Sequence, residues 1–66
     1  MDIQHLRYFL TVSRTLNYTK AAEELYISRQ AVAQAVRQLE TELQSPLLIN
    51  RKNALALTPL GLVFQK

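Results

Sequence analysis

Residues 17–43 carry the clearest fold signal of the chain and read NYTKAAEELYISRQAVAQAVRQLETEL. This stretch holds two runs with the apolar spacing of α-helices, and the tripeptide Tyr26-Ile27-Ser28 between them predicts a tight turn. The Ser28 hydroxyl is a good N-cap because it can accept from the free backbone N–H groups of the turn that follows. The stretch therefore predicts two helices joined by a turn of three residues.

The two predicted helices differ in length and in the side chains that they bury. We predict the shorter one over Lys20–Leu25, with Thr19 as its N-cap and with Ala21 and Ala22 small enough to let another helix come close. We predict the longer one from Arg29 to about Leu43. Its inner face carries Val32, Ala35, Val36, Leu39 and Leu43.

The outward face of the longer helix is rich in hydrogen-bond donors; its residues are Arg29, Gln30, Ala33, Gln34 and Arg37. A short helix that braces a longer one with a polar outer face is typical of a DNA-binding helix-turn-helix, whose second helix enters the major groove. The acids Glu40 and Glu42 follow at the far end of the helix, which we expect to point away from phosphate.

The flanking segments predict a mainly α winged helix-turn-helix fold. Apolar spacings of three and four from Ile3 to Leu16 indicate a first helix, with Asp2 as its N-cap. Two short apolar runs within residues 47–57 surround the polar tip 50–53 and predict a β-hairpin, the wing. Thr58 followed by Pro59 is a strong start signal for a fourth helix.

Composition excludes several other classes of protein. The 66 residues suffice for one small domain, and the absence of cysteine excludes disulfides and thiolate zinc sites. The chain has no apolar run long enough to span a membrane and no signal peptide, so we expect a cytoplasmic protein. With one histidine, His5, and no glycine-rich loop, nothing converges on a nucleophile, a phosphate cradle or a metal. We predict no enzyme activity, no cofactor and no metal site.

Several runs then resemble the DNA-binding domain of LysR-type transcriptional regulators. They are Leu6-Arg7-Tyr8-Phe9, residues 17–25, Ile27-Ser28 with Ala31-Val32, Leu39-Glu40 with Leu43, and Leu57-Thr58-Pro59-Leu60-Gly61. The resemblance covers the whole chain in register. It implies a bacterial repressor or activator with a winged domain over 1–58 and the start of a linker (dimerisation) helix over 59–66. It also implies a homodimeric or homotetrameric parent whose small-molecule effector binds a C-terminal domain absent from this chain.

The chain departs from the family pattern at several positions. Arg29-Gln30 stands where the family usually has glutamine then proline, and Ala33-Gln34 stands where it commonly has serine then arginine. Gln44 replaces the glycine expected after the long helix, so we expect the cap there to be built differently. In the wing strand, either Asn50 or Arg51 takes the place of the family's arginine.

The candidate DNA-binding residues are Thr19, Ser28, Arg29, Gln30, Ala33, Gln34, Arg37, Arg51, Lys52 and Asn53. Arg29, Gln30 and Gln34 have the donors and acceptors to read base edges, and Ala33 offers a methyl contact to thymine or clearance. Arg37 is a phosphate contact or, alternatively, an ion-pair partner of Glu40. Thr19 can donate to a phosphate at the start of its helix as well as cap it.

Arg51, Lys52 and Asn53 of the hairpin are predicted to contact the DNA backbone or the minor groove, although any polar turn has a similar sequence. The main rival function is a winged helix used as a protein-interaction module. Such modules usually lose the cationic, donor-rich face that this long helix retains. Double-stranded DNA is therefore the predicted partner, with no role at a membrane.

Overall fold

The computed structural model describes residues 2–51 and 54–65, and of Arg51 the backbone alone. Along these residues the chain forms helices and one two-stranded sheet, which confirms the predicted winged helix-turn-helix. The elements are α1 (Ile3–Thr15), α2 (Tyr18–Leu25), α3 (Arg29–Leu43), β1 (Leu48–Arg51), β2 (Ala54–Leu57) and α4 (Pro59–Gln65).

A side-chain cap begins each of the first three helices. The Asp2 carboxylate accepts from the Gln4 N–H at 2.9 Å, and the Ser28 hydroxyl accepts from the Ala31 N–H at 3.0 Å, both as predicted. The predicted cap of α2 was wrong. Asn17, whose backbone is extended, accepts from the Lys20 N–H at 3.0 Å, so α2 begins two residues earlier than expected and Thr19 lies inside its first turn.

Non-glycine residues in the left-handed conformation end these three helices: Leu16, Tyr26 and Gln44, with φ of 51°, 57° and 56°. The cap after α3 is therefore not built differently from a glycine cap. Gln44 itself takes the backbone conformation that a glycine would adopt there, and its N–H and that of Ser45 close the helix.

The core lies where α1 and α2 pack against α3. Phe9 and Val12 from α1 and Val32, Val36 and Leu39 from α3 are fully buried, and Ala21 and Ala22 of α2 let the helices approach. Leu43 packs at the edge of this core, so the predicted inner face of α3 is confirmed. Ile3, by contrast, is 79% exposed and does not belong to the buried stripe of α1.

The wing is an antiparallel hairpin in which Leu48 pairs with Leu57, Asn50 with Leu55 and Arg51 with Ala54. Asn50 and Arg51 are thus strand residues rather than part of the tip. The other two predicted tip residues, Lys52 and Asn53, lie outside the described residues. After the hairpin, the Thr58 hydroxyl accepts from the Gly61 N–H at 3.0 Å, which confirms the predicted cap of α4.

Candidate nucleic-acid interface

The outer face of α3 presents polar side chains to solvent along its first three turns. Arg29, Gln30, Gln34 and Arg37 are exposed, and Ala33 between them is half-buried. The opposite face of the same helix is buried against the core. Packing therefore fixes the rotation of α3 about its axis, and the four long polar side chains point away from the protein together.

Ser28 lies at the end of this face, where α3 begins. Its hydroxyl oxygen accepts from the Ala31 N–H, and the residue is exposed. A serine hydroxyl has two acceptor lone pairs and one donor, so the cap leaves the O–H able to donate to a phosphate oxygen. The helix dipole favours an anion at the same position.

A cleft of about 490 Å³ lies between the start of α2 and the wing, and it reaches the outer face of α3 at Arg29. We call it the wing groove. Thr19, exposed in the first turn of α2, and Arg29 of α3 both line it, so the structure brings these two predicted site residues together. The other lining residues are Leu16, Asn17, Tyr18, Asn50, Ala54 and Leu55.

Asn50 forms the wing side of this groove. It is exposed in β1, and it lines the groove together with Arg29. Asn50, one of the two residues that the sequence offered for the family's wing-strand arginine, thus lies on a groove that Arg29 of α3 also lines. The side chain of Arg51, and all of Lys52 and Asn53, lie outside the described residues.

Tyr18 lines the wing groove and is half-buried, packed against the core. Burial is the main cause that raises the pKa of its hydroxyl above the usual value, and the negative charge of Glu40 adds to it; the positive charges of Arg37 and Arg29 act in the opposite direction. The hydroxyl therefore stays protonated at neutral pH. The sequence did not show that Tyr18, the first residue of α2, lies near the charges of α3.

Arg37 and Glu40 do not form the ion pair that was the alternative role for Arg37. Within residues 2–51 and 54–65, the Glu40 carboxylate accepts from the backbone N–H groups of Leu47 and Leu48 at 2.7 and 3.2 Å. Arg37 is exposed and lies beside Glu40 on the surface of α3. The contacts of the Glu40 carboxylate with the base of the wing were not predicted, because a sequence does not show which free N–H groups of a later loop come near a helix.

The described residues include no cluster of three or more histidine, cysteine or acidic side chains placed to hold a metal ion. His5 has a buried Nδ1 atom without a hydrogen-bond partner among these residues, and it lines a cleft of about 170 Å³ between α1 and α3. None of the helices over 2–51 and 54–65 combines the length and the hydropathy needed to cross a bilayer.

The wing lies beside α3, the second helix of the helix-turn-helix pair, whose outer face is exposed and rich in hydrogen-bond donors. This combination defines a winged helix-turn-helix of the nucleic-acid-binding kind. Residues 3–62 match the family model described as "Bacterial regulatory helix-turn-helix protein, lysR family". The chain belongs to this family and is its DNA-binding domain, which confirms the resemblance seen in the sequence.

Curated relatives are whole regulators of which this chain spans about a fifth. The chain is 42% identical over 64 residues to the Hca operon transcriptional activator HcaR of Escherichia coli, covering 97% of this chain and 22% of that protein. It is 44% identical over 61 residues to the HTH-type transcriptional regulator HdfR of Yersinia enterocolitica, covering 92% and 21%.

Solved structures of the family have the same fold. A LysR-family transcriptional regulator from Eggerthella lenta superposes with a TM-score of 0.95 at 43% identity, covering 98% of this chain and 93% of that one. The DNA-binding domain of BenM, in complex with catB site 1 DNA, gives a TM-score of 0.92 at 35% identity over 98% and 73%. That of CbnR, also in complex with DNA, gives 0.91 at 29% over 98% and 75%.

Proposed function

We propose that this domain binds double-stranded DNA in a sequence-specific manner, with α3 in the major groove and the wing, residues 47–57, on the backbone or in the minor groove. The observation that carries the proposal is the outer face of α3, where Arg29, Gln30, Gln34 and Arg37 are exposed together. The DNA complexes of the BenM and CbnR domains, which share this fold, support it.

The first two turns of α3 are the proposed base-reading surface. An arginine can donate two hydrogen bonds to guanine, and a glutamine can pair with adenine, each contributing roughly 1–3 kcal/mol of discrimination. Arg29 and Gln30 take these roles, and Gln34 takes the same role one turn later. Ala33 lies between them and offers only a methyl contact to thymine or room for the base.

The phosphate contacts surround this reading surface. Arg37 grips the backbone from the third turn of α3, where no ion pair with Glu40 occupies its guanidinium. The hydroxyls of Thr19 and Ser28 donate hydrogen bonds to phosphate oxygens near the starts of α2 and α3, where the helix dipoles also favour phosphate. Arg51, Lys52 and Asn53 of the wing complete the set as backbone or minor-groove contacts.

The parent protein is a bacterial transcription regulator that acts in the cytoplasm, where its DNA is. It has no enzymatic role in this domain, whose residues 1–58 bind DNA and whose residues 59–66 begin the linker helix. Two such domains in a homodimer or homotetramer bind two half-sites, and a small-molecule effector binds another domain. The domain alone binds weakly because it reads one half-site.

The test is the salt dependence of binding to duplex DNA of random sequence. Release of counterions from phosphate predicts that the logarithm of the binding constant falls linearly with the logarithm of salt concentration. A winged helix that serves only as a protein-interaction module shows no appreciable binding at any salt concentration. That second result, with the domain shown to be folded by circular dichroism, contradicts the proposal.

A further inference from the structure

A side chain of the recognition helix holds the base of the wing. Glu40, in the last turn of α3, is half-buried, and its Oε2 atom accepts from the N–H of Leu47 at 2.7 Å and of Leu48 at 3.2 Å. Leu48 is the first residue of β1. The carboxylate thus joins α3 to the point where the wing begins.

The same short segment is held from its other side by the start of α4. The Thr58 N–H donates to the Leu47 carbonyl at 3.0 Å, and the Thr58 hydroxyl donates to the Pro46 carbonyl at 2.8 Å. The buried Leu47 side chain anchors the segment in the core. Glu40 is therefore the link between this anchor and the recognition helix.

The position of the wing depends on such anchors because a hairpin of two four-residue strands has little stability of its own. Asn50 lies two residues beyond Leu48, on the same face of β1, and lines the wing groove together with Arg29. A shift of the strand at Leu47 and Leu48 would therefore change the width of the groove between Asn50 and Arg29.

We propose that Glu40 is a positioning residue for DNA binding, which acts without touching DNA by fixing the wing at a set distance from the α3 face. The inference rests on the proposed function. Because one rigid body then presents both contact surfaces, the second contact forms without a further loss of freedom, and the binding constant exceeds that of either surface alone.

The charge of Glu40 and its hydrogen bonds predict opposite changes in DNA affinity when the residue is replaced. Replacing Glu40 removes a negative charge near the proposed interface and should tighten the binding of DNA if charge were its only role. Loss of the two hydrogen bonds should weaken binding instead. Glu23→Ala on α2 is the matched control, since it removes one exposed acid with the same change in net charge.

Three substitutions of Glu40 separate the effect of its accepting oxygen atom from the effect of its charge. Glu40→Gln keeps a carbonyl oxygen at the same distance and loses the charge, so we expect binding within about twofold of the wild-type chain. Glu40→Asp keeps the charge but withdraws the oxygen by one methylene, and Glu40→Ala removes it. For both we expect roughly tenfold weaker binding, which is less than the full effect of linked contacts because the Leu47 side chain and Thr58 still hold the base of the wing.

The experiment measures binding to random duplex DNA and to the duplex that the wild-type chain selects best, together with a hydroxyl-radical footprint. Glu40→Asp and Glu40→Ala should lose protection at the flank covered by the wing and keep it over the major groove. In the free domain, the Leu47 and Leu48 amides should exchange faster in these two variants than in Glu40→Gln. Should Glu40→Ala fail to fold, the Asp and Gln pair carries the comparison.

Two outcomes overturn the inference. If the wild-type chain binds DNA but Glu40→Asp binds as tightly with an unchanged footprint, the positioning role is wrong and the proposed function stands. If the folded wild-type chain binds no DNA, the proposed function fails and the positioning role fails with it.

Discussion

The backbone N–H of Ser45 donates to the carbonyl of Glu40 at 3.1 Å, which closes the last turn of α3 just before the wing. The bond forms because Gln44, the residue before Ser45, adopts φ of 56°. A side chain in this region brings its Cβ too close to the following carbonyl, at a cost of roughly 1–2 kcal/mol, and glycine avoids that cost. Leu16 and Tyr26 adopt the same backbone conformation after α1 and α2, so this cost applies at the end of each of the three core helices.

Gln44→Gly is therefore expected to stabilise the domain. Relief of the left-handed strain should outweigh the extra freedom that glycine has in the unfolded chain, for a gain of about 1 kcal/mol in the free energy of unfolding. Urea denaturation followed by circular dichroism measures it. Gln44→Ala is the control, because it removes the exposed side chain but keeps the Cβ, and it should give no such gain. Equal stability of the two variants would contradict the explanation.

Gly61→Ala should destabilise the domain for a steric reason. A Cβ at Gly61 would collide with the Leu47 carbonyl oxygen, which also accepts from the Thr58 N–H, and would press on the Leu57 side chain. Overpacking of this kind costs about 1–3 kcal/mol, and we expect it to exceed the gain of at most about 1 kcal/mol from better helix propensity. Thermal or urea unfolding measures the loss.

The control for Gly61→Ala is Val63→Ala, two residues along the same helix. Val63 is 66% exposed, so we expect a change within about 0.5 kcal/mol. A stability of Gly61→Ala equal to or above that of the wild-type chain would mean that α4 does not pack closely on the base of the wing.

Much of this fold could be predicted from the sequence, since apolar spacing and cap residues are local signals. The core of α3 and the caps at Asp2, Ser28 and Thr58 were predicted correctly. The start of α2 was not, because Asn17 and Thr19 are both acceptable caps and only the backbone conformation distinguishes them. The left-handed Gln44 was missed because the packing of the chain imposes that conformation against its local cost.

The candidate site could be predicted less completely than the fold. Exposure along α3 follows from its periodicity, so the positions of Arg29, Gln30, Gln34 and Arg37 on one face were expected. The wing groove lies between α2 and β1, which are distant in sequence, and Asn50 carries no local signal for its position there. Glu40 likewise carries no local signal for its contacts with the N–H groups of Leu47 and Leu48.

Tyr18→Phe tests the environment of the wing groove through pH. Burial, with the charge of Glu40, raises the pKa of the Tyr18 hydroxyl in the folded state above its unfolded value. The folded state therefore keeps the proton after the unfolded state has lost it, so the stability that Tyr18 contributes falls as pH rises above the unfolded value of about 10. Below that pH the contribution is constant.

The measurement for this prediction is the difference in the free energy of unfolding between the wild-type chain and Tyr18→Phe, from neutral pH to beyond pH ~10. Because both proteins share all other titratable groups, the contributions of those groups cancel in this difference. We expect the wild-type chain to lose stability relative to Tyr18→Phe over the alkaline part of the range. A constant difference would mean that the hydroxyl is no more buried than in the unfolded chain.

Arg37→Ala should reduce the salt dependence of DNA binding. If Arg37 neutralises one phosphate, its removal lowers the slope of log binding constant against log salt by about 0.9, and it weakens binding to all sequences alike. Arg7→Ala, on the exposed part of α1, makes the same change in net charge outside the proposed interface and should leave the slope nearly unchanged. Equal slopes for both variants would exclude a phosphate contact by Arg37.

Selection of bound sites from random duplex DNA is the sharpest test of base reading by α3, with the wild-type chain, Arg29→Ala and Lys52→Ala compared in parallel. The wild-type chain should enrich one short motif. Arg29→Ala should lose the base preference at one position of it, by a factor of roughly 5–150, whereas Lys52→Ala should bind more weakly but enrich the same motif. Equal and sequence-independent losses for the two variants would contradict base reading by the first turns of α3.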